Sequence, residues 1–227
     1  MSPDRPIEIG EEIGKTRSFA FAVDWPGWCR GAKDRLLLPA ALAAAAPRYA
    51  AVARTAGLDF VAGTDSLEPA DFALVEALEG SAGTDFGVPS AVAAVDRRPV
   101  PAAEAERIAR LVSAAWTILD EVVAGAPAEL RKGPRGGGRD RDGIAAHCLT
   151  SDAAYANQLG IKLTEPAPDD RPAVLAVRAA ILAILGQPSD GSPVAGRRWP
   201  ARYAARRIAW HALDHAWEIE DKSVPAE

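Results

Sequence analysis

Apolar and polar positions change their rhythm once along this chain, near residue 100. Before it, short alternating runs are separated by turn residues. In SFAFAVD (18–24), Phe19, Phe21 and Val23 alternate with small residues, a period of two that predicts a strand. WPGWCRG follows and, with Pro26, Gly27 and Gly31, reads as a turn. From Asp34 to Ala56 the pattern predicts a helix, with Asp34 as cap, Pro39 near the first turn and Gly57 as stop. Pro47 is expected to kink or split it. LDFVAGT (58–64) and DFALVEALEG (71–80) read as two further strands, and DRRPVPAAEAE as a linker.

After the linker the period becomes helical. In AEAERIARLVSAAWTILDEVVAGA, Ile108, Leu111, Ala115, Ile118 and Val122 make one stripe at spacings of three and four. A second helix is expected over about 142–160, with Ile144, His147, Ser151 and Tyr155 on one face. The third lies in DDRPAVLAVRAAILAILGQP, capped by Asp170, with Pro172 in its first turn and Gly186 and Pro188 at its end. The fourth runs from about Pro200 to Asp221, with Ala204, Ile208, His211 and His215 facing inward and Glu218 or Ile219 next. The expectation is an α+β chain: a small α+β domain over 1–98 and an up-down four-helix bundle over 99–227.

The 227 residues are 48% hydrophobic and 25% charged, enough to bury a core. A net charge of −5 gives no general affinity for nucleic acid or anionic membrane. The two cysteines, Cys29 and Cys148, form no disulfide framework and no metal knuckle, so a reduced, cytoplasmic setting is the default. The first residues carry acids and no apolar core, so they are no signal peptide, and LLLPAALAAAAP is too short and too proline-interrupted to span a membrane.

Against this background the histidines stand out. There are three in all, and His211 and His215 sit four apart on the fourth helix, where a bundle would bury apolar groups. Residues four apart share a helix face, with Cβ atoms about 5–6 Å apart. Two imidazoles so placed can converge on one metal with bonds of about 2.0–2.1 Å. His147 is also on an apolar face, and facing helices can bring all three together. Three neutral imidazoles would leave a metal open positions, the catalytic pattern. The alternative is a set of satisfied core histidines. Ala212 follows His211 where a metalloprotease motif needs Glu, so that class is excluded. Glu218, seven after His211 and three after His215, is a candidate carboxylate behind a ligand or a base.

Other candidates surround this set. Tyr155 is a site-lining hydroxyl or a core tyrosine. Cys148 points about 100° away from His147 and reads as core. RKGPRGGGRDRD (131–142) has five basic residues and four glycines but no Gly-Lys-Ser/Thr ending, so it is no P-loop. It is either a solvated loop or a flexible one gripping an anionic ligand through Arg135 and Arg139. Arg197, Arg198, Arg202, Arg206 and Arg207 form a second basic cluster. Trp210 and Trp217 share a face other than the histidines' and are expected to pack on the first half or on a second subunit.

Four helices with one His on the second and HxxxH on the fourth resemble the DinB/YfiT-like superfamily of metal-binding bundles, over about residues 102–222. The resemblance implies that His147, His211 and His215 are ligands of a divalent metal (zinc, nickel, iron or manganese). It also implies a transferase or isomerase acting on a small molecule with a low-molecular-weight thiol such as mycothiol. A metal-dependent hydrolase and a non-enzymatic metal-binding or stress-response protein are the alternatives. The strand, DWPGWCRGAKD and the helix after it loosely resemble the HicB module in fold. With no histidine there, substrate gating or homodimerisation is the part left for the first half.

Overall fold

The structure, a computed structural model, describes residues 5–60, 67–133 and 137–223. It is a mixed α+β chain. Strands β1 (Ile7–Ile13), β2 (Ser18–Ala22) and β3 (Cys29–Ala32) are followed by helix α1 (Leu38–Thr55) and strand β4 (Phe72–Glu79). After the short helix α2 (Ala82–Phe86) come α3 (Ala102–Gly125), α4 (Arg141–Gln158), α5 (Arg171–Leu185) and α6 (Ala201–Ser223).

The sheet has the order β3-β2-β1-β4, with β1 antiparallel to β2 and parallel to β4. α1 supplies the long crossover that a parallel pair needs. Alternation sorts the sheet's two faces. Ile9, Ala20 and Ala22 lie in the cluster that holds Leu38, Leu42 and Tyr49 of α1. Phe19, Phe21 and Cys29 face the other way, onto Val95 and Trp210 of α6. Gly10 and Gly31 leave room for these rings, since a Cβ at Gly10 would lie 2.3 Å from the ring of Phe21. At the edge, β4 carries Val75 as an extra residue between the pairs Ile9–Leu74 and Gly10–Glu76.

Three sequence expectations are corrected here. WPGWCRG is not all turn: its last residues are β3, and Trp28 and Tyr49 tie the turn to α1 by bonds to Leu42 O (3.0 Å) and Pro26 O (2.7 Å). Leu58–Phe60 form no strand, and 61–64 lie outside the described residues. Pro47 does not split α1, which runs unbroken to Thr55, while Asp34 caps the 3-10 turn Arg35–Leu37 ahead of it. Among the described residues one helical stretch, Arg35–Thr55, is long and apolar enough to cross a membrane, and its Leu38, Leu42, Tyr49 and Val52 are fully buried in the core.

The four long helices of the second half all touch one another, and α3 and α6 share the largest seam. Alanines make that seam tight: Ala105, Ala114 and Ala115 of α3 and Ala204, Ala205, Ala209, Ala212 and Ala216 of α6 are all buried. Asp170 caps α5 as expected, accepting from the Ala173 amide at 3.0 Å. One apolar cluster runs from Ile7 and Trp28 through α1 into α3 and α6, so the core is continuous across residues 98 and 99.

Candidate metal centre

α6 is a strong helix former, rich in Ala and Arg and free of Gly and Pro after Pro200. Its period puts Arg207, His211, His215 and Glu218 along one side. α4 supplies His147. α4 is weakly apolar, with only Ile144, Cys148, Asp152, Tyr155 and Ala156 buried along its length, so polar bonds hold it in place. Trp116 Nε1 of α3 donates to Asp152 Oδ1 at 3.2 Å, and Arg178 of α5 approaches Asp152 Oδ2 at 3.5 Å while bonding Asp120 at 2.8 Å. Burial outweighs Arg178 and raises the Asp152 carboxyl to about 6.

These two helices bring the three histidines together. His147 Nε2 and His211 Nε2 are 3.2 Å apart, and one ring nitrogen from each of the three lies within 4.8 Å of the others. Ligand nitrogens around a tetrahedral metal with bonds of about 2.05 Å lie roughly 3.3 Å from each other. One edge of such a site is therefore formed, and the third ligand needs only a small closure. His215 Nδ1 lies 2.8 Å from Glu218 Oε2, so Nδ1 carries the proton and Nε2 keeps a free lone pair. Burial, then the charge of His215, lowers His211 to about 2, and burial also lowers His147. Neutral imidazoles are the form that binds a metal. The donor set fits a divalent transition ion, with His211 buried and His147 and His215 partly open.

The remaining candidates take distinct places. Glu218 is held on both oxygens, by His215 and by Lys222, and these bonds lower its carboxyl to about 2. It is thus a weak proton acceptor and a good orienting group. The Tyr155 ring stands edge-on to His211, with centroids 5.6 Å apart. Cys148 is buried, and desolvation raises its thiol well above the ordinary range. Arg139 is exposed, but its stem lies across Gly143, where a side chain would meet it, and its charge acts on His147 and His211. Arg135 lies outside the described residues.

The second basic cluster is divided. Arg206 is buried against Asp96 and Arg202 pairs with Glu104, so neither is free for a ligand. Arg207, one turn before His211, stays with the site; it is the residue the composition of the cluster did not single out. Trp210 and Trp217 face the first half: Trp210 meets Phe19 at 6.3 Å, and Trp217 lies under Arg30 and Arg48. No family model, no curated protein and no solved structure gives a match to this chain.

Proposed function

We propose that this chain is a divalent-metal-dependent enzyme on a DinB-type bundle, a transferase or isomerase that uses a low-molecular-weight thiol in the cytoplasm. The observation that supports it is the convergence of His147, His211 and His215, with His215 Nδ1 engaged by Glu218. These three residues would hold the metal. A divalent ion held there would favour the thiolate form of a thiol reaching an open position, which is the nucleophilic form. The chain's own groups do the rest. Burial of His211 keeps its imidazole neutral, Glu218 fixes the tautomer of His215, and Tyr155 walls the side of His211. Arg139 offers an exposed cation for an anionic part of the thiol. Neither cysteine of the chain competes for this role, because both thiols are buried.

The test is metal content of untagged protein after reconstitution with zinc, nickel, iron and manganese, beside His211→Ala. About one metal per wild-type chain and none in the variant is expected. No stoichiometric metal in wild type overturns the reading. With metal bound, turnover of an electrophilic substrate should require added thiol. Thiol-independent turnover would replace the transferase with a hydrolase, and no turnover in any screen would favour a binding protein.

A further inference from the structure

Arg207 is a half-buried cation without an acid. Among the described residues its NH1 donates to Pro89 O at 3.3 Å, the Tyr155 hydroxyl is its other oxygen neighbour, and no carboxylate lies within ion-pair distance. The neighbouring arginines contrast with it, since Arg202 and Arg206 each have a carboxylate partner. Its guanidinium is fixed by rings instead. It lies 4.7 Å from the Trp210 centroid and 5.7 Å from that of Tyr155. Stacking of this kind pre-orients the planar fork that recognises carboxylate and phosphate.

Two further side chains border the same place. Trp210 is 5% exposed and its indole N–H has no partner among the described residues. A buried donor left unmatched is costly, and an acceptor brought within its reach would offset that cost. The Tyr155 hydroxyl also faces Arg207, whose charge favours its ionised form against burial. The cluster adjoins the imidazoles directly. Arg207 precedes His211 by one helical turn, and the rings of Tyr155 and Trp210 lie 5.6 and 6.1 Å from that of His211.

We propose that Arg207 sets ligand specificity: it binds a carboxylate or phosphate group of the molecule whose other end reaches His147, His211 and His215. The proposal rests on those histidines being the reaction site, but its test does not need the metal. Metal-free protein is titrated by calorimetry with inorganic phosphate and, separately, with succinate. Wild type should bind at least one of them saturably, and the tighter one identifies the anion class. Arg207→Met should weaken that binding about tenfold or more, with thermal melting and far-ultraviolet circular dichroism unchanged. Arg207→Lys, which keeps the charge but not the fork, should fall between. Should Arg207→Met not fold, the Arg207 Nε–H resonance, assigned by its loss in Arg207→Lys, should shift in wild type with the same saturation. No saturable binding of either anion, or equal affinity in wild type and variant, overturns the proposal. Anion binding without zinc uptake overturns the metal reading alone, and zinc uptake with anion binding indifferent to Arg207 overturns this one alone.

Discussion

His215 and Glu218 lie three residues apart on α6, with Nδ1 and Oε2 2.8 Å from each other. That single bond decides which nitrogen of His215 is available, because a proton held on Nδ1 leaves the lone pair on Nε2. Lys222 completes the arrangement by holding the other carboxylate oxygen. Glu218→Ala is therefore expected to weaken zinc binding about 10- to 100-fold with the three ligands intact. Glu218→Gln, which can still accept from Nδ1, should lose less. Competition with a chromophoric chelator measures both. An unchanged zinc affinity in Glu218→Ala would show that the bond has no orienting role.

Acid stability of the metal-free protein should carry two opposed terms. His211 sits at about 2 in the fold against an ordinary 6.5, so between those values the unfolded chain binds a proton the folded one does not. Its contribution is present above about pH 6.5 and is lost as the pH falls. Asp152 sits at about 6 against 3.8, so its contribution is present below 3.8 and is lost as the pH rises through 6. Each term has a slope of up to about 1.4 kcal/mol per pH unit, of opposite sign, so they offset one another from about pH 4 to 6. Asp152→Asn should then lose stability on acidification in that range, and His211→Leu should gain it. Urea denaturation at pH 4.5, 5.5 and 6.5 in chelator gives the slopes; parallel curves for the two variants would contradict the assignment.

The buried thiols give a simpler expectation. Burial pushes Cys29 up to about 12 and raises Cys148 further. Both are under 3% exposed, so an aromatic disulfide reagent should label neither in the native protein and two per chain in denaturant. Fast labelling of Cys148 alone would mean that α4 opens readily beside His147.

The helices and the histidines were legible because both depend on period. Spacings of three and four put His147, His211 and His215 on inward faces, and α3 to α6 fall where the stripes and caps placed them. β1 was not legible. Its Glu8, Glu11 and Glu12 look like a solvated run, yet Glu11 and Glu12 are buried, the first paired with Arg35 and the second accepting from the amides of Ser90 (3.1 Å) and Ala91 (2.9 Å). The partners that satisfy them, a cation for Glu11 and neutral donors for Glu12, come from distant segments, which no local pattern reveals. β3 has four residues and a glycine, too little to register as alternation. Arg207 was hidden among five arginines of the same helix end, and only the distribution of carboxylates separates it from Arg202 and Arg206.

Gly27 joins the WPGW turn to α6. Its φ is +94°, a conformation that glycine adopts without strain, and a Cβ there would lie 2.8 Å from Leu213 Cδ1 and 3.0 Å from Ala209 Cβ. Gly27→Ala combines backbone strain with overpacking and should destabilise the fold by about 1–3 kcal/mol. Gly57 has a positive φ as well but open space around it, so Gly57→Ala isolates the backbone cost. Equal losses in the two variants, measured by chemical denaturation, would remove the packing part of the argument.

Arg206 and Asp96 carry the last expectation. They are 5% and 4% exposed, and the guanidinium donates to both carboxylate oxygens, at 3.1 and 2.5 Å, while lying 3.8 Å over the Phe21 ring. The pair links α6 to the segment that follows β4 and α2. Removing one member of such a pair leaves a buried charge, so Arg206→Met should cost about 3–5 kcal/mol. Asp96→Asn on top of it removes that charge, and the double variant should recover part of the loss. Arg98 and Glu8 serve as the exposed comparison, at 45% and 40% side-chain exposure, and Arg98→Ala should cost no more than about 1 kcal/mol. Urea denaturation of these three variants beside wild type decides it. A double variant no more stable than Arg206→Met would mean that the loss comes from the Phe21 contact and the 3.1 Å bond to Ala91 O instead of the unpaired carboxylate.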